Sequence, residues 1–127
     1  MSKELEPLGE WTKTNLVVDT GWGDGGKGKV VDVLSKRTHV VVRFNGGPNA
    51  GHTVKNDFGE FKFHLIPSGI FNPNTISILA STVALNPLSL VEELNQLEEK
   101  KVPFSPNNLL ISKDAHLIMP WHILRDK

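Results

Sequence analysis

Apolar residues come in short bursts along this chain, separated by glycine, proline and asparagine, and their spacing predicts alternating strands and helices. Asn15 to Thr20, NLVVDT, has the β-branched character of a short buried strand. From Lys27, KGKVVDVLSKR sets Val30, Val31 and Leu34 at helical spacing, with Lys36 and Arg37 near the end where a helix dipole favours cations. His39 to Phe44, HVVVRF, is a second apolar strand, and the strand–helix–strand order predicts a parallel pair with a right-handed crossover. TVKNDFGEFKFHLIPSG then alternates Phe58, Phe61, Phe63 and Leu65 with polar or small residues around a turn signal at Asn56, Asp57 and Gly59, the pattern of a β-hairpin. Thr75 to Leu79 predicts another strand. Asn86-Pro87 starts a helix with an apolar stripe of Leu90, Leu94 and Leu97, which Pro103 and Pro106 stop. Leu109 to Ser112 is a further candidate strand, and PWHILRDK from Pro120 opens a helix that reaches the chain end. The expectation is an α/β fold, with helices packed on a mainly parallel sheet, a phosphate-type loop after the first strand, and one hairpin. Residues 1–14 form a loose arm and residues 15–127 one unit.

Composition narrows the function classes. At 127 residues and 39% hydrophobic content the chain is the size of one domain with a real core. Fourteen basic residues balance fourteen acidic ones, so no overall field favours nucleic acid or an acidic membrane, and a bound anion must be held by local geometry. The absence of cysteine excludes disulfides, thiolate metal sites and thiol nucleophiles, and suits a reducing compartment. The polar, mixed-charge start MSKELEPLGEWTKT has neither signal-peptide nor anchor character, and no apolar run approaches the roughly 20 residues of a spanning helix. A soluble, cytoplasmic protein is expected.

The candidate chemistry lies in two glycine-rich loops. The first, GWGDGGKGKVVD, lies between strand and helix and satisfies two fingerprints. Gly21, Gly23 and Gly26 match the dinucleotide pattern, and Gly21, Gly26 and Lys27 match P-loop spacing. Each pattern lacks a component: the second strand ends in Arg43-Phe44 rather than an acid that could hold a ribose, and Gly28 stands where a P-loop carries the magnesium-binding hydroxyl. What they share is a helix N-terminus whose amides face a phosphate. Asp24 is the unusual residue, because a carboxylate beside phosphate needs an intervening cation or a role as base on a second substrate. A turn or capping aspartate is the bland alternative.

The second loop, NGGPNAGHT, adds a histidine. WGDGGKGKVVD, then NGGPNAGHTV, then HLIPSGI resembles the adenylosuccinate synthetase family, whose signatures are close to WGDEGKGK, GGxNAGHT and HLxPSGI. The resemblance runs from about Leu16 to the chain end and covers the N-terminal minority of the family pattern, so this chain is expected to be a fragment. It implies a ligase that joins IMP and L-aspartate, with GTP and magnesium, into adenylosuccinate, and a homodimer in the complete protein.

The resemblance also implies roles by residue. Asp24 would take the proton from N1 of the purine, and His52 would stabilise the transferring phosphoryl group. GTP would meet Gly23, Asp24, Gly25, Gly26, Lys27, Gly28 and Lys29, with Gly51, His52 and Thr53. IMP would meet Asp24, Gly25, Gly26 and Lys27, with Asn49, Ala50, Gly51 and His52. Magnesium would take Asp24 and the Gly51 carbonyl. His39, His64, His116 and His122 lack metal-site spacing and read as structural or surface residues, His64 with a local supporting role inside HLIPSGI. Four positions depart from the family pattern: Asp19 for Gly, Gly21 for Gln, Gly25 for Glu and Asn45 for Gln. They leave open a relative acting on another purine nucleotide such as dGMP, a non-catalytic nucleotide-binding module, and a generic P-loop phosphohydrolase.

Overall fold

The computed structural model describes residues 14–21, 25–49 and 51–126. The arm up to residue 13, and Gly23, Asp24 and Ala50 of the expected site, lie outside the described residues. The elements run α1 (Lys27–Ser35), β1 (Val40–Arg43), β2 (His52–Asn56), β3 (Gly59–Phe63), a 3-10 turn (Ser68–Phe71), β4 (Ile76–Leu79), β5 (Ala84–Leu85), α2 (Pro87–Glu99), β6 (Leu109–Ile111), β7 (His116–Leu117) and α3 (Pro120–Arg125).

The central sheet has the order β1-β4-β6 and is parallel throughout, with Val42 opposite Ile78 and Ile78 opposite Leu110. Helix α2 makes the crossover from β4 to β6, as parallel neighbours require. The hairpin pairs β2 with β3, His52 opposite Phe63 and Val54 opposite Phe61. Its turn is closed by Asn56 Oδ1, which accepts from the Phe58 amide at 3.0 Å, and by Gly59 at φ 119°. A parallel pair not anticipated from the pattern, β5 with β7, is continued by a bridge from Gly46 to Val83. Two-residue strands carry too little periodicity to be seen in sequence.

One expected strand is missing. Residues 14–20 enter no ladder, and Leu16 and Val18 are 67% and 63% exposed. Strand character at Leu16–Val18 needs a neighbour and a covering layer, and among the described residues β1 pairs only with β4. The crossover predicted around α1 therefore does not form a sheet pair.

The core is built by the hairpin, the 3-10 turn, β4 and α2. Phe61 and Phe63 are fully buried and pack with Phe71, at ring distances of 4.7 and 5.7 Å. Leu65, Ile66, Ile70, Leu79, Val83 and Leu97 complete it. Asn86 caps α2 as its sequence predicts, accepting from the Leu88 amide at 3.0 Å. The helix ends before either proline. Lys101 takes the left-handed conformation (φ 57°), its amide donates to Glu98 O at 3.0 Å, and the Val102 amide donates to Leu97 O at 2.9 Å. This is a Schellman motif with lysine where glycine is usual.

Candidate functional site

The first loop reaches α1 through Gly26, whose φ of 72° is left-handed and suits a residue without Cβ. Its carbonyl accepts from the Lys29 and Val30 amides at 3.1 and 3.2 Å, which starts the helix and leaves the amides of Lys27 and Gly28 at its open end. Asp19 folds back onto this loop. Its carboxylate accepts from the amides of Gly21 and Gly25, both at 2.9 Å, and from Lys27 Nζ at 3.2 Å. The Gly21 amide first, then the Lys27 hydrogen bond and the Gly25 amide, hold the Asp19 carboxyl below its ordinary value.

The second loop is tied to the end of β1 by Arg43, which donates from Nη2 to Gly47 O at 3.2 Å and from Nε to Asn45 O at 3.4 Å. Gly46 turns there with φ 88°. The loop delivers His52 to the first position of β2, where strand alternation sends its ring inward with Val54 and leaves the Thr53 side chain outward.

The His52 ring meets Phe63 edge-on at 6.0 Å and lies against the first turn of α1: a Cβ on Gly28 would fall 2.5 Å from His52 Cδ2. Gly28 is therefore the contact between the two loops, which accounts for glycine in place of a P-loop hydroxyl. Burial, then the nearby charges of Arg43 and His64, lower the His52 pKa to about 4. The ring is neutral at pH 7, and its Nε2 is buried with no hydrogen-bond partner among the described residues. A neutral imidazole with an unused nitrogen at this junction can donate to, or accept from, a ligand placed between the loops.

A further layer holds this junction. Glu93, on the apolar face of α2, is 2% exposed and accepts from the amides of His64, Leu65 and Ile66 at 2.7 to 3.2 Å. His64 Nδ1 stands 3.8 Å from Glu93 Oε1. The other edge of the His64 ring packs on Gly51, where a Cβ would fall 2.8 Å from Nε2. His64 thus contacts the second loop. Arg43 and Glu93 were not singled out by the motifs; the available signal for Glu93 was a carboxylate at helical spacing from Leu90 and Leu97.

Of the expected site, the structure brings Gly28 and His52 together, sets Gly25, Gly26, Lys27 and Lys29 at the mouth of α1, and leaves Asn49 and Gly51 exposed on the second loop. Among the described residues no three His, Asp or Glu side chains gather as a metal cage. His39, His116 and His122 are exposed.

The adenylosuccinate synthetase family profile matches residues 16–127. The chain belongs to the adenylosuccinate synthetase family. It is 51% identical over 112 residues to the adenylosuccinate synthetases of Halothermothrix orenii and Streptococcus sanguinis, covering 88% of this chain and 26% of each relative. The solved structure of fully ligated adenylosuccinate synthetase from Plasmodium falciparum superposes with a TM-score of 0.71 at 37% identity, over 83% of this chain and 24% of that one. The chain thus spans about a quarter of the length of the family members it matches, and the parallel sheet, loops and hairpin belong to that shared part.

Proposed function

We propose that the polypeptide to which this chain belongs is a GTP-dependent ligase that joins IMP and L-aspartate into adenylosuccinate, and that the two glycine loops are its phosphoryl-transfer site. The observation that carries this reading is the His52 ring seated on Gly28 with a buried Nε2 that has no hydrogen-bond partner among the described residues. It gives the junction of the loops a free proton-handling atom beside a helix N-terminus, the combination that phosphoryl transfer uses.

Asp24 takes the proton from N1 of the purine. Electron density moves to O6, which attacks the γ-phosphorus of GTP and releases GDP; the aspartate amine then displaces phosphate from C6. His52 stabilises the phosphoryl group in transit through Nε2. Gly23 to Lys29 hold GTP phosphates by backbone amides and the Lys27 charge, and Asn49 to His52 flank IMP. The Asp24 carboxylate and Gly51 carbonyl are hard oxygen donors, and magnesium is ordinarily held by one or two protein oxygens together with phosphates rather than by an all-protein cage; that donor set fits. When bound, magnesium would neutralise phosphate charge. The complete protein is proposed to be a cytoplasmic homodimer.

The test is adenylosuccinate formation by the complete gene product from IMP, GTP and aspartate. Asp24→Ala is expected to lower turnover by roughly a hundredfold or more, the scale of a general base; turnover like that of the wild type would contradict the assignment. A second reading is a nucleotide-binding module without turnover, favoured by the departures Asp19, Gly21 and Gly25 around the phosphate loop. Calorimetry with GTP and IMP that gives heat while no product forms would support it.

A further inference from the structure

The first loop already carries an anion, and it belongs to the chain. The amides of Gly21 and Gly25 and the Lys27 ammonium, all turned to the Asp19 carboxylate, are the kind of donor set a phosphate oxygen takes at a glycine loop before a helix. The seat depends on missing side chains. A Cβ on Gly25 would fall 2.3 Å from Asp19 Oδ2 and 2.5 Å from its Cγ, and one on Gly21 would fall 3.2 Å from Oδ1. Three of the four departures from the family signature, Asp19, Gly21 and Gly25, therefore form one constellation: a carboxylate and the space cleared for it.

We propose that Asp19 is an internal competitor for the phosphate seat, so that a nucleotide phosphate enters by displacing the carboxylate from Gly21, Gly25 and Lys27. This inference rests on the loop being a phosphate cradle. A carboxylate and a phosphate cannot both take the Gly25 amide, and each repels the other across Lys27. The loop thus has two states, carboxylate-in and phosphate-in, and its affinity is set by their balance. If the carboxylate is seated in about nine molecules of ten, apparent affinity is reduced about tenfold relative to a loop without it.

The experiment is calorimetry of the complete gene product with GTP and magnesium, comparing wild type, Asp19→Asn and Asp19→Ala. Asp19→Asn removes the charge at nearly constant size. Asp19→Ala removes the carboxylate altogether and leaves the amides of Gly21 and Gly25 and the Lys27 ammonium untouched. Both are expected to bind GTP about tenfold more tightly than wild type. Equal or weaker binding by Asp19→Asn overturns the proposal, because the carboxylate then shapes the loop instead of occupying it. Should Asp19→Asn fail to fold, Asp19→Ala decides by the same criterion. GTP binding by none of the three overturns the phosphate-cradle reading itself, and this inference with it.

Discussion

His52 is tied to burial more than to any partner, and that has a consequence for pH. Its pKa of about 4 lies below the ordinary imidazole value of 6.5, with burial the first cause and the charges of Arg43 and His64 following. Between those values the unfolded chain binds a proton that the folded chain refuses, so stability rises with pH through this window and is lost as pH falls from about 6.5 to about 4. Urea unfolding at pH 7, 5.5 and 4.5 is expected to show a steeper loss for wild type than for His52→Asn; parallel profiles would contradict the assignment of the buried neutral ring. In sequence, His52 was legible as a motif residue. The reason for Gly28 was not, because the 2.5 Å approach of the ring depends on how the hairpin docks on α1, a long-range event that leaves no local pattern.

At the scale of elements, α2 connects the core to the site. Glu93 gathers three consecutive amides just past the end of β3, and removing it leaves those donors buried without partners. Glu93→Ala is expected to destabilise the fold by roughly 3 kcal/mol, and Glu93→Gln, which keeps an acceptor oxygen, by less; equal losses measured by thermal unfolding would show that packing and not the amide cluster is at stake. The end of the same helix offers the opposite sign. Lys101 holds a left-handed conformation that costs a residue with a Cβ about 1 kcal/mol, so Lys101→Gly is expected to stabilise by up to that amount. A lower midpoint in urea would contradict it. The start of α2 was legible because capping is local; its stop was read from Pro103 and Pro106, whereas the Schellman turn precedes both.

The whole molecule shows where the hydrophobic pattern outruns the fold. Val40, Val42 and Leu110, 45%, 47% and 40% exposed, share one face of the parallel sheet by register with Ile76 and Ile78. Parallel sheets ordinarily carry layers on both faces, and among the described residues only the other face, with Ser77 and Leu79, is packed by the core. Asn15–Thr20 has the letters of a strand, but pairing and cover depend on neighbours, and Leu16 and Val18 are exposed. Hairpin, helix α2 and the two loops were legible since their signals are turn residues and motifs; sheet order and the β5–β7 pair were not, since parallel partners are distant in sequence.

The central claim is that the two glycine loops form a single phosphate site. Its most direct test is titration of the ¹⁵N-labelled chain with GTP and magnesium, following backbone amides. The resonances of Gly26 to Lys29 and of Gly51 to Thr53 are expected to move together along one binding curve. Movement in one loop alone, or in neither, would contradict the claim.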